Sequence, residues 1–176
     1  MHYYCIYCST ARSKTVADLI ERMGIGRCVT PRIVQRKWIK GKTFEETHDY
    51  LPGYVFLYTE EAVSDFQPIW NLNDVYRLLG SEEDLFELYG ADRAFAQMLE
   101  EQEGTIGILK AYREGDVVKL ADSAFSAFEG VITRFDRARK RAEIEFDFDG
   151  KKQRVWCGID LLDSVQKTDS RSGETR

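Results

Sequence analysis

The stretch Tyr50-Leu51-Pro52-Gly53-Tyr54-Val55-Phe56 decides how this chain is read. Proline followed by glycine turns the backbone and breaks the segment on its amino-terminal side from the one on its carboxy-terminal side. Pro52 also stands at the opening of an apolar run reaching Tyr58, the position at which a strand tolerates a proline. The seven residues therefore predict a turn that feeds a largely buried strand. Toward the amino terminus, Tyr3 to Cys8 repeats the aromatic and apolar strand pattern. Between the two, Val16, Leu19, Ile20 and Met23 recur at helical spacing, with Thr10 or Ser13 expected as the cap and Gly24 as the stop. Cys28 to Ile39 reads as a strand, Gly41-Lys42 as a turn, and Thr43 to Thr47 as the returning arm of a hairpin.

Toward the carboxy terminus, Ala62 to Leu72 reads as a helix that Pro68 shortens or bends, and Val75 to Leu79 as a short strand. Ala91 to Gln102 predicts a helix with Phe95, Met98 and Leu99 on one face and Asp92 serving its first turn. This order predicts an α+β sandwich, with helices packed on a mainly antiparallel sheet. From Glu114 the period changes to two. Val117 and Leu120, Val131 and Ile132, Ala142 to Phe146, and Val155 with Cys157 mark four short strands, and a fifth falls near Leu161-Leu162. Asp149-Gly150 is a tight-turn signal. Short strands at this density predict a small SH3-like barrel. The expected division is residues 1–103, a linker over 104–113, the barrel over 114–166 and a disordered polar tail over 167–176.

The chain has 176 residues, 43% of them apolar, enough for one large or two small domains. No run of about 18 apolar residues predicts a membrane span. The strand pattern begins at Tyr3, which leads us to expect no signal peptide and a cytoplasmic chain with reduced thiols. Cys5 and Cys8 form a CxxC, but residues three apart on a strand face opposite sides and Cys28 and Cys157 stand alone. Buried thiols are expected, with no metal and no cofactor. His2 and His48 lie in unrelated contexts, and no phosphate loop or nucleophile motif accompanies them. An enzyme is not expected.

The net charge of −5 is unevenly placed. Arg27, Arg32, Arg36, Lys37, Lys40 and Lys42 occur with no acid among them over residues 27–42. Residues 60–103 carry twelve acids against Arg77 and Arg93. Arg134, Arg137, Arg139, Lys140 and Arg141 surround a single acid, Asp136. Local patches of this kind set the field at a binding site whatever the overall sign.

Taken in order, Tyr3-Tyr4, Pro52-Gly53-Tyr54-Val55-Phe56, Val75-Tyr76-Arg77-Leu78-Leu79-Gly80, Glu114-Gly115-Asp116-Val117-Val118-Lys119-Leu120 and Ala124-Phe125-Ser126-Ala127-Phe128-Glu129-Gly130-Val131-Ile132 resemble the NusG family of transcription elongation factors. The resemblance implies an NGN domain followed by a KOW barrel. It implies docking of the NGN domain on the clamp helices of RNA polymerase, with Tyr3, Tyr4, Leu51, Tyr54 and Phe56 as the apolar patch or its support. It implies contact of Arg12 and Lys14 with the upstream non-template DNA. Asn71-Leu72 falls where some family members read that strand, and Leu72 is apolar there.

The carboxy-terminal cations Arg134, Arg137, Arg139, Lys140, Arg141, Lys151, Lys152 and Arg154, flanked by Phe135 and Phe148, are expected to form two adjacent loops that bind an RNA hairpin, because arginine pairs phosphates and stacks on bases. This is similar to the specialised LoaP branch of the family, and implies processive antitermination by a monomer recruited through nascent RNA. Cross-strand Arg/Glu pairs on a solvated sheet face are the alternative for these cations. The alternative function is that of a housekeeping factor coupling polymerase to a ribosomal protein or to Rho through Phe148. An autoinhibited KOW domain of the RfaH kind is a third variant.

Overall fold

The structure is a computed structural model that describes residues 1–114, 117–121 and 131–162. Its first sheet places β1 (His2–Cys8) antiparallel between β5 (Tyr54–Thr59) and β6 (Val75–Leu78), with β2 (Arg27–Val29) on the outer edge of β5. The register pairs Tyr4 with Leu57, Cys5 with Phe56 and Tyr7 with Tyr54. Strand alternation then sorts the side chains by face. Tyr4, Ile6, Cys8, Val55 and Leu57 pack under α1 (Ser13–Arg22) and α2 (Gln67–Trp70), through Val16, Ala17, Ile20 and Ile69. Tyr3, Cys5, Phe56 and Tyr58 face the other way, toward Phe95, Ala96 and Leu99 of α3 (Gly90–Glu101). Cys5 and Cys8 thus lie in different cores.

Two local expectations change. Neither Thr10 nor Ser13 caps α1. Thr10–Arg12 form a turn of 3-10 helix leading into it, and the Ser13 hydroxyl donates to the Thr10 carbonyl at 3.0 Å instead of accepting an amide. The helix expected over 62–72 contracts to Gln67–Trp70, because Pro68 belongs in a first turn and has no N–H to continue an earlier one.

A long hairpin, β3 (Arg32–Ile39) with β4 (Lys42–Asp49), leaves this body, and β7 (Thr105–Ile106) lies parallel to the base of β3. The carboxy-terminal part is a curled sheet of five strands. These are β8 (Leu109–Glu114), β9 (Val117–Leu120), β10 (Val131–Asp136), β11 (Arg141–Phe148) and β12 (Lys151–Leu162), in the order β10-β11-β12-β8-β9. The α+β class and the barrel-like second part agree with the sequence reading.

The strands expected near Val155 and near Leu161 are one strand, β12. Its first part pairs antiparallel with β11, and Ile159 to Leu162 then pair parallel with β8. The expected linker 104–113 is instead strand over most of its length, with only Gly107 and Ile108 between β7 and β8. Gly158 makes room for Ile108, since a Cβ there would meet its Cδ1 at 2.4 Å. The motif residues 124–130 and the expected tail 167–176 lie outside the described residues.

Candidate functional site

The aromatic face of the first sheet is not open. Tyr54 is half-buried, Phe56 is fully buried, and the ring that covers them is Phe148 of β11. Its centroid lies 5.2 Å from Tyr54, 5.5 Å from Phe56 and 5.1 Å from Phe95. Phe146 stacks on Phe95 at 4.9 Å. Edge and offset contacts of this kind add about 0.5–1.5 kcal/mol per pair to the area they bury. The two domains share one apolar core.

A polar cluster seals the rim. The Tyr54 hydroxyl donates to the Asp149 carboxylate at 2.8 Å, and Arg77 forms an ion pair with the same carboxylate. The Asp149 N–H donates to Asp92 Oδ1 at 2.9 Å. Asp92 thus stands in the first turn of α3, as expected, and its carboxylate also holds the β11–β12 turn. Asp149 and Gly150 both have left-handed φ, 53° and 66°, as a two-residue hairpin turn requires. Burial pushes the Tyr54 hydroxyl and the Asp92 carboxyl above their ordinary values.

A second seam joins the β3–β4 hairpin to β12. Gln35 Nε2 donates to the Trp156 carbonyl at 3.3 Å. Arg36 Nη1 donates to Asp160 at 2.7 Å, and Arg36 also pairs with Glu45. The Arg36 guanidinium holds the Asp160 carboxyl below its ordinary value.

The residues expected to meet polymerase separate into two groups. Tyr54, Phe56 and Tyr3 share the face covered by α3 and the barrel, and Tyr3 donates its hydroxyl to Glu100 at 2.9 Å. Leu51, in the turn before β5, is buried and takes a left-handed φ of 51°. Tyr4 belongs to the opposite face, edge-on to Phe66, and its hydroxyl accepts the Val63 N–H at 3.0 Å. Arg12 and Lys14 are exposed, Arg12 pairing with Asp74 at 3.3 Å. Lys14 lines a groove of about 420 Å³ with Thr10, Tyr50, Leu51 and Tyr54. Leu72 is half-buried against the second core.

The carboxy-terminal cations do not form two adjacent loops. The 137–140 turn and the Asp149-Gly150 turn lie at opposite ends of β11, roughly 25 Å apart at strand rise. Between them, Arg134 pairs with Glu143, Arg154 and Lys152 pair with Glu145, and Arg141 pairs with Asp136. This is the cross-strand pattern of a solvated sheet face. Arg139 is held by Asp136 at 3.3 Å, while Arg137, Lys140 and Lys151 are exposed. Arg77, Gln35 and Arg36 were not foreseen as partners across the domain boundary, because such pairs carry no local pattern.

A sheet covered by helices on both faces, followed by a curled five-stranded sheet, has the architecture of an NGN domain followed by a KOW-type half-barrel. Residues 1–99 match the family described as "Transcription termination factor nusG", and the chain belongs to the NusG family. A solved structure described as "Domain interaction in Thermotoga maritima NusG" is similar in fold. It has 18% identity and a TM-score of 0.51, and the match covers 89% of this chain and 93% of that one. No curated protein matches the chain.

Proposed function

We propose that this chain is a specialised NusG-type elongation factor of the LoaP kind that promotes processive antitermination. The family's partner is RNA polymerase. The polymerase clamp helices take the face formed by Tyr54, Phe56 and Tyr3, with Leu51 as support, while Arg12 and Lys14 approach the upstream non-template DNA. One observation carries this reading: a large aromatic face is covered by the barrel through a rim of side-chain polar contacts around Asp149. Such a face is an interface anchor once uncovered. The closed form is then one of two states, and polymerase shifts the population toward the open one by binding it selectively. Nascent RNA hairpins recruit the factor through the exposed turn Arg137, Arg139 and Lys140.

The housekeeping alternative, coupling to a ribosomal protein or to Rho through Phe148, requires the same opening, because that ring is fully buried in the closed form and is bared together with Tyr54 and Phe56.

Transcription of a template carrying a leader hairpin upstream of a terminator tests the proposal. The full chain should raise readthrough only when the hairpin is present, and the triple variant Arg137→Ala, Arg139→Ala, Lys140→Ala should lose that effect. Equal readthrough with and without the hairpin would overturn RNA recruitment.

A further inference from the structure

An open cleft of about 520 Å³ lies where the β3–β4 hairpin meets the 137–140 turn, lined by Arg36, Lys37, Trp38, Thr43, Arg139 and Lys140. It is built by both domains. The floor is fixed by Arg36, whose guanidinium is committed to Asp160 and Glu45. The remaining groups are turned outward. Trp38 is 72% exposed, and Arg139 and Lys140, both exposed, line the cleft with it. Arg139 is itself 70% exposed, and its pair with the half-buried Asp136 is a surface pair of small worth that an anion displaces. A tryptophan this exposed gives up the burial that ordinarily stabilises it.

From this arrangement we infer that the cleft is a binding site for single-stranded nucleic acid, with one base stacked on Trp38 and the adjoining phosphates on Arg139 and Lys140. A flat π-surface with cations beside it is the working unit of such sites. An acidic peptide satisfies the cations but leaves the indole uncovered, whereas a nucleotide supplies a ring and a phosphate together. The inference rests on the recruitment reading only in sharing Arg139 and Lys140. It adds that the amino-terminal hairpin completes the site, so the ligand is held by the closed form. By linkage, whatever separates the domains weakens this binding, and docking on polymerase releases the strand.

The test uses the full chain and fluorescently labelled oligouridylate or oligothymidylate about ten nucleotides long, titrated across a salt series. Trp38→Ala should weaken binding roughly 10- to 100-fold, with Trp38→Phe retaining most of the affinity. Because Trp38 is so exposed, its loss leaves the core intact. Arg22→Ala on α1, outside the cleft, reports the effect of losing one unrelated cation and should change little.

Asp160→Asn separates geometry from charge. A mere basic patch binds more tightly when an acid is removed, whereas the two-domain cleft loses its Arg36 seam and binds more weakly. Equal affinity of Trp38→Ala and the unaltered chain, or equal competition by polyglutamate of matched charge, would overturn the inference. Preference between the two oligomers decides RNA against DNA. Hairpin-dependent readthrough that persists in Trp38→Ala removes the cleft alone, whereas oligomer binding without any effect on transcription removes the recruitment reading alone.

Discussion

The ring of Phe146 lies almost parallel to that of Phe95, with centroids 4.9 Å apart and planes inclined by 16°. One ring comes from the barrel and the other from α3, so the stack joins two domains. With Phe148 beside it, it turns a boundary between domains into the interior of one core.

Truncating that core has a cost. Phe148→Ala removes a fully buried ring that touches Tyr54, Phe56 and Phe95. The expected destabilisation is about 3–5 kcal/mol, read from the urea midpoint. A change below about 1 kcal/mol would mean that the barrel does not rest on this face in solution.

Arg77→Ala should loosen the closed form selectively. It leaves the largely buried Asp149 carboxylate with the Tyr54 hydroxyl but without its cation. About 1–3 kcal/mol of interface stabilisation should disappear, seen as a longer inter-domain distance between attached fluorophores and tighter binding to core polymerase. An unchanged distance would assign the closed form to the aromatic contacts alone.

Acid should act on two interface carboxylates in opposite senses. Burial holds Asp92 above its ordinary 3.8, so its ionised form is costly in the fold and protonation relieves that cost as pH falls through the raised value. Arg36 holds Asp160 below 3.8, so its contribution is complete above 3.8 and is lost as pH falls through the depressed value. Unfolding midpoints measured from about pH 6 to 3 should show Asp92→Asn losing the first effect and Asp160→Asn the second.

Gly53→Ala should destabilise the first domain by about 1–3 kcal/mol. Gly53 has φ +94°, and a Cβ there would stand 2.9 Å from the Cys8 carbonyl and 3.2 Å from the Tyr7 ring. Thermal denaturation of the variant reads this directly, and an unshifted midpoint would remove the strain argument.

All four thiols should resist a disulfide reagent at pH 8 in the native protein. Burial pushes Cys8 up to about 11 and Cys28 and Cys157 up to about 12, and holds Cys5 well above its ordinary value. Stoichiometric reaction should occur only on denaturation. Fast labelling of Cys8 in the native chain would show that the turn at Gly53, whose carbonyl accepts from that thiol, opens readily.

The sequence carries the elements that have a period. Strand alternation at Tyr3 to Cys8 and Tyr54 to Tyr58, helical spacing through Val16 to Met23, and the Asp149-Gly150 turn are all local patterns, and each stands where it was expected. What local pattern does not encode is which face meets which. Tyr4 and Phe56 read alike in sequence, yet paired strands place them in opposite cores. Arg134 and Arg154 read as a nucleic-acid patch until the register sets Glu143 and Glu145 beside them. Strand merging at β12 was equally hidden, since a parallel partner adds no signal to the residues it pairs.

Two residues, Gly107 and Ile108, separate β7, which is bonded to the hairpin base, from β8, which is bonded inside the barrel. Fully extended, they span only about 7 Å. With both flanking strands anchored, the barrel is leashed too closely to float away from its partner. Baring Tyr54 and Phe56 is therefore a swing about a short axle, and the barrel's new position stays within a small arc of the face it has left. The concentration of the barrel near that face stays high throughout, so any polymerase surface that takes its place must outcompete a neighbour that never diffuses off.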